Sequence, residues 1–145
     1  MFQQILIAWD GSPSAEWAFD VAVDLARRYD AELAAVSVAH SPAHAETAGD
    51  RRESVGAARR YLEETFVRVR DRAERAGVAV EQTILEGDDP ATAILEHAHE
   101  HGFDLLVIGH HRRRAGRFLI HGLAEKTIEA ADVPVLVVAN GRARR

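Results

Sequence analysis

Leu105-Leu-Val-Ile-Gly-His-His-Arg-Arg-Arg-Ala-Gly-Arg-Phe-Leu-Ile-His-Gly122 decides the fold. An apolar run ends at Gly109, Arg112, Arg113, Arg114 and Arg117 follow, and Gly122 opens a helical pattern. A buried strand leading to a glycine, a basic loop and a helix start is how α/β proteins cradle phosphate. Backbone can approach an anion closely at glycine, and unpaired N–H groups at a helix start carry partial positive charge. A solvated basic loop without a ligand has the same spacing, so the stretch alone leaves both readings open.

Outward from this stretch, two periods alternate. Ile5–Trp9, Leu33–Val38, Val78–Leu85, Leu105–Ile108 and Val135–Val138 read as strands. Between them, four sets of apolar residues recur at helical spacing: Ala18, Val21, Ala22 and Leu25; Val55, Ala58, Leu62, Phe66, Val69 and Ala73; Ala91, Ile94, Leu95 and Ala98; Leu123, Ala124, Thr127, Ile128 and Ala131. Ser12 is the predicted N-cap of the first helix, with Pro13 at its first position. Asp89-Pro90 starts the third, and Gly77 and Gly102 stop the second and third. His40 to Arg52, with proline, glycine and small polar residues, predicts a mobile loop. Trp9 and Trp17 read as packing residues. Strands apolar on both faces and joined by helices imply a single doubly wound α/β domain with helices on both faces of a parallel sheet. Ligands of such sheets bind outside the carboxyl ends of the strands, so Asp10 and Gly109 are expected to face one crevice.

The composition fits one globular domain: 145 residues, 47% hydrophobic and 28% charged. A chain of this length buries roughly two-thirds of its unfolded surface. The net charge of −5 argues against general nucleic-acid binding, which selects a basic footprint. No cysteine is present, which excludes disulfides, thiol catalysis and cysteine metal sites. A strand-like run begins within four residues of Met1, and no apolar stretch approaches the roughly 18 residues of a membrane span. A cytoplasmic protein without membrane contact is the expectation.

The remaining motifs sort the nucleotide-binding folds. Gly-x-x-x-x-Gly-Lys-Ser/Thr is absent and Lys126 is the sole lysine, which excludes a P-loop NTPase. No Gly-x-Gly-x-x-Gly follows the first strand, against a dinucleotide-binding Rossmann domain. A phosphoacceptor receiver domain needs an acidic pair after strand one, an aspartate ending strand three and a lysine after strand five. Trp9-Asp10, Leu85-Glu86-Gly87 and Ala139-Asn140 stand there instead.

Ile5-Leu-Ile-Ala-Trp-Asp-Gly-Ser12, Glu86-Gly87 before a capped helix, and Leu105-Leu-Val-Ile-Gly109 leading to Val133-Pro-Val-Leu-Val-Val138 are similar to the universal stress protein (UspA-type) family over the whole chain. The resemblance implies a five-stranded parallel sheet in the order 3-2-1-4-5 over residues 1–139, followed by the basic tail 140–145. It also implies a homodimer joined through the last strand, Val133 to Ala139.

The same resemblance frames the ligand question. Family members that bind ATP carry Gly-x2-Gly-x9-Gly-Ser/Thr after the fourth strand and an aspartate after the first. Asp10, Gly109 and Gly122 match and are the candidate adenine-nucleotide residues. Arg112 stands at the second glycine position and Leu123 at the hydroxyl position. Arginine adds a Cβ and a long side chain where backbone must approach phosphate, and leucine removes a hydroxyl donor. Gly109-His110-His111 also resembles the branch that does not bind ATP. The implied function is a stress-response regulatory or binding module with weak or no ATP binding, and not an efficient enzyme. The alternative is an ATP-binding switch with slow hydrolysis, in which ATP or another adenine nucleotide is the cofactor and the four arginines supply charge-assisted bonds to phosphate. A third reading is adenylyl transfer, because Asp10-Gly-Ser-Pro-Ser14 bears a faint likeness to the serine/glycine-rich loop of such enzymes.

Eight histidines invite a metal. His97 and His101 share a helix face and His99 points away, which leaves two ligands where a closed zinc site takes four. Histidine in a last helical turn also favours the negative end of the helix dipole. No metal and no catalytic residue is therefore assigned. His110, His111 and His121 lie by the expected crevice, with no nucleophile beside them.

Overall fold

The computed structural model describes residues 1–40, 47–110 and 122–139, together with the backbone of 114–115 and 118–119. In chain order the elements are β1 (Gln4–Ala8), α1 (Pro13–Tyr29), β2 (Glu32–Ala39), α2 (Ala48–Ala76), β3 (Val80–Glu86), α3 (Pro90–Glu100), β4 (Leu105–His110), β5 (Arg114–Ala115), β6 (Phe118–Leu119), α4 (Leu123–Ala130) and β7 (Val135–Ala139). Five strands form one parallel sheet in the order β3-β2-β1-β4-β7, the expected 3-2-1-4-5.

The sheet explains why its strands carry no polar alternation. Ile5, Ile7, Trp9, Leu105 and Val107 face one side, under Phe19 and Ala22 of α1 and Phe66 and Val69 of α2. Leu6, Ala8, Val36, Leu106 and Ile108 face the other, under Ile94 and Ala98 of α3 and Ala124 of α4. Each central strand thus buries successive side chains on opposite faces, which demands apolar residues at every position.

The caps follow the sequence in part. Ser12 Oγ accepts the Ala15 N–H at 3.2 Å at the start of α1, and Pro13 fills its first turn. Asp89 precedes α3, but its carboxylate accepts from the Thr92 hydroxyl at 2.7 Å and makes no cap bond to backbone.

Other expectations are corrected. Residues 48–52 of the expected loop belong to α2, because Thr47 caps it through the Asp50 N–H at 3.0 Å and Arg51 pairs with Asp88 at 3.6 Å; residues 41–46 lie outside the described ones. Between β4 and α4, the backbone of β5 and β6 forms a short antiparallel pair where a plain loop was expected. Trp17 is 48% exposed and Ile128 54%, so neither is a core residue. The tail 140–145 lies outside the described residues.

Candidate functional site: a cleft at the carboxyl end of the sheet

A cleft of about 280 Å³ opens where β1, β2 and β4 end and α1, α3 and α4 begin. This is where the order reverses: β1 is followed outward by β2 on one side and β4 on the other. Asp10, Gly109 and Gly122, brought together from three parts of the chain, all line it. Leu123 lines it as well and offers no hydroxyl. Arg112, Arg113, Arg117, His111 and His121 lie outside the described residues, as does the side chain of Arg114.

The turn after β1 is built tightly. Gly11 has φ +79°, a left-handed conformation that favours glycine, and a Cβ there would stand 2.7 Å from Thr65 Cγ2. The Asp10 carboxylate is exposed and accepts the Ser12 N–H at 2.9 Å, which folds the turn toward the α1 cap. Arg68 of α2 donates to the Gly11 carbonyl at 3.1 Å, and its guanidinium lies 5.7 Å from the Trp9 ring centre. Glu16 and Asp20 on α1 receive Arg68 and Arg72 as ion pairs, so α2 clamps both the turn and the helix that follows.

Beneath the cleft lies a polar core that no pattern in the sequence predicts. The buried Trp9 indole N–H donates to Thr65 Oγ1 at 2.9 Å, and that hydroxyl donates to the Leu62 carbonyl at 2.8 Å. The Ser37 hydroxyl donates to the Trp9 carbonyl. Thr65 and Ser37 are both buried, and each polar atom is satisfied inside the protein.

The far wall is the start of α4. Gly122 is its N-cap residue, and Glu125 sits in its first turn. His110, the last residue of β4, places Nδ1 3.2 Å from Glu125 Oε1. Glu125 Oε2 is buried without a hydrogen-bond partner among the described residues. It lies so close to the helix start that a Cβ on Gly122 would meet it at 3.0 Å. His40, which directly follows β2, also lines the cleft. Sequence reasoning overlooked Glu125 and His40; the available signal for Glu125 was its place three residues after the helix-opening glycine, where a glutamate reaches back over a helix start.

His97, His99 and His101 lie away from this cleft, at the opposite end of α3. The His97 and His101 rings are 4.2 Å apart, His101 Nδ1 lies 3.0 Å from the His97 carbonyl oxygen, and His97 stacks on Phe103. Burial, then the neighbouring His101, lowers the pKa of His97, while Glu100 and Glu81 oppose the shift. His99 Nδ1 lies 3.6 Å from Asp132 Oδ2. Among the described residues, no three histidine or carboxylate groups come together to hold a metal ion.

The sequence model of the universal stress protein family matches residues 1–139. The chain belongs to that family. A curated universal stress protein from Staphylococcus haemolyticus is 36% identical over 139 residues, covering 94% of this chain and 84% of that protein. A crystal structure from the universal stress protein family of Burkholderia pseudomallei is 31% identical with a TM-score of 0.77, covering 94% of this chain and 96% of that one. A universal stress protein solved in complex with cAMP is 25% identical with a TM-score of 0.72, covering 97% of this chain and 98% of that one. Among the described residues, no helix of this universal stress protein is long and apolar enough to cross a membrane.

Proposed function

We propose that residues 1–139 form a cytoplasmic stress-response module that regulates by binding, with weak or no affinity for ATP. In this reading Asp10, Gly109 and Gly122 contact an adenine nucleotide when one is held, the module acts without efficient catalysis, and it works as a homodimer paired through residues 133–139. The supporting observation is Leu123 on the cleft wall, where the ATP-binding pattern calls for a hydroxyl. The cAMP complex of a relative supports an adenine nucleotide as the ligand class, and the net charge of −5 weighs against nucleic acid.

The alternative, an ATP switch with slow hydrolysis, draws on the convergence of Asp10, Gly109 and Gly122 on one cleft. Calorimetric titration with Mg-ATP separates the two. The proposed reading expects no binding tighter than about 100 μM, roughly −5.5 kcal/mol. Sub-micromolar affinity establishes the switch instead. Arg112→Gly combined with Leu123→Ser restores the pattern and is expected to raise affinity. Asp10→Ala is expected to weaken any ligand while leaving the melting temperature nearly unchanged, because the carboxylate is exposed.

A further inference from the structure

The turn from β1 to α1 carries Asp10 to the cleft, and its own residues hold it weakly. Gly11, at φ +79°, is the residue type with the most conformational freedom. Within the turn, Asp10 accepts the Ser12 N–H in a bond exposed to solvent, where water competes for both partners. The restraint comes from α2. Leu62, Thr65 and Arg68 are spaced three residues apart along that helix, so successive members are neighbours on its surface. Leu62 lines the cleft, Thr65 Cγ2 packs where a Cβ on Gly11 would meet it at 2.7 Å, and Arg68 Nη2 donates to the Gly11 carbonyl at 3.1 Å. The same guanidinium binds Glu16 through Nη1 and lies 5.7 Å from the Trp9 ring centre. It is thereby held by the end of β1, by the turn and by the first turn of α1.

We propose that Arg68 is a positioning residue that fixes the β1–α1 turn and, with it, the place of Asp10 at the cleft. The inference rests on the reading of Asp10 as a ligand contact given above and extends it to a side chain outside the cleft lining. Stability alone is a poor account of Arg68, because its side chain is 46% exposed and ion pairs in that setting contribute little. What Arg68 supplies is a rigid fork that serves the Gly11 carbonyl and Glu16 at once, which the point charge of a lysine does not match. Arg72, one turn further along α2, is the natural control. Among the described residues its bonds go to Asp20 and Glu16 on α1 and none to the turn.

The test compares the full chain with Arg68→Gln, Arg68→Lys and Arg72→Gln by two NMR readouts. One needs no ligand: the rate at which the Ser12 amide exchanges its proton with water. The other is the affinity for AMP, titrated to millimolar concentration. Arg68→Gln is expected to speed Ser12 exchange by about threefold or more, because the turn opens locally. It is expected to weaken AMP by about fivefold or more, because Asp10 loses its support. Arg68→Lys is expected to fall between Arg68→Gln and the parent. Arg72→Gln, which removes ion pairs to α1 and leaves the turn alone, is expected to match the parent in both readouts. Thermal melts show which variants are folded. Should Arg68→Gln fail to fold, Arg68→Lys set against Arg72→Gln decides.

Ser12 exchange unchanged in the Arg68 variants overturns the proposal, as does an equal change in Arg72→Gln, which would make the effect a general loosening of α1 on α2. Arg68→Lys equal to the parent in both readouts also overturns it, since charge alone would then suffice. Faster exchange with unchanged AMP affinity supports the hold of Arg68 on the turn and removes Asp10 from the ligand contacts of the proposed function. If the parent binds no AMP at millimolar concentration, the adenine-nucleotide reading falls, and the exchange rates still decide the role of Arg68.

Discussion

A methyl group on Gly109 would stand 2.7 Å from the carbonyl oxygen of Ser14 and 3.1 Å from the Ser14 Cβ. The end of β4 and the first turn of α1 are thus in contact through a missing side chain. A phosphate-binding role for this glycine and a packing role are not exclusive, but the packing role operates with the cleft empty. Gly109→Ala is expected to lower stability by about 1–3 kcal/mol, because the obstructing atoms are backbone and cannot swing aside. Chemical denaturation measures this directly. A variant as stable as the parent would mean that α1 shifts freely against β4.

The Trp9–Thr65 bond predicts an asymmetric pair of substitutions. Thr65→Val keeps the shape and strands a buried indole N–H, which costs about 1–3 kcal/mol. Trp9→Phe in the Thr65→Val background removes that stranded donor, so the loss of the pair is smaller than the sum of the two single losses. A double-mutant cycle by denaturant unfolding reads the coupling. Additive losses would show that the 2.9 Å contact contributes nothing to stability.

These two cases mark what could be read from the sequence. The alternation of apolar runs and helical stripes was legible because each central strand is buried on both faces, and that pattern survives in one dimension. Ser12 and Pro13 were legible because capping is decided within four residues. Thr65, Ser37 and Glu125 were not, since their roles depend on groups 15 to 56 residues away: Trp9 for Thr65 and for Ser37, and His110 for Glu125. The start of α2 was misplaced for the same reason: Arg51 is held by Asp88, just past the next strand, and Arg59 by Glu86 at that strand's end. Trp17 reads as a packing residue by its type and Ile128 fits a helical stripe by spacing, yet a stripe wider than the sheet beneath it leaves its margin in solvent.

His97 gives the chain a pH-dependent term. Burial and His101 hold its folded pKa below the usual 6.5, with Glu100 and Glu81 pulling the other way. The unfolded state therefore binds the proton more readily, and stability rises with pH across the interval between the two values. The contribution is fully present above about pH 6.5 and is lost as pH falls through the folded value. His97→Gln is expected to flatten the fall in melting temperature between pH 7 and pH 5. Parallel melting curves for the variant and the parent across that range would remove the assignment.

The outer edge of β7 has no partner strand among the described residues. Val135, Leu136 and Val137 are half-buried and Val138 buried, with Val135 and Val137 packed toward α3 and α4 and Leu136 and Val138 toward α1 and α2. No charge interrupts Val133–Ala139, and Pro134 blunts only its beginning. A bare apolar edge invites aggregation unless it is covered. In the proposed homodimer a second copy of the same strand would cover it with a two-fold, self-complementary interface. The expected species at high micromolar concentration is a dimer by light scattering. Val137→Lys and Leu136→Lys, made separately, are each expected to shift it toward monomer, the first by charging the α3/α4 side of the strand and the second by charging the α1/α2 side. A monomeric parent rejects the homodimer, and a dimer that survives both substitutions places the interface on another surface.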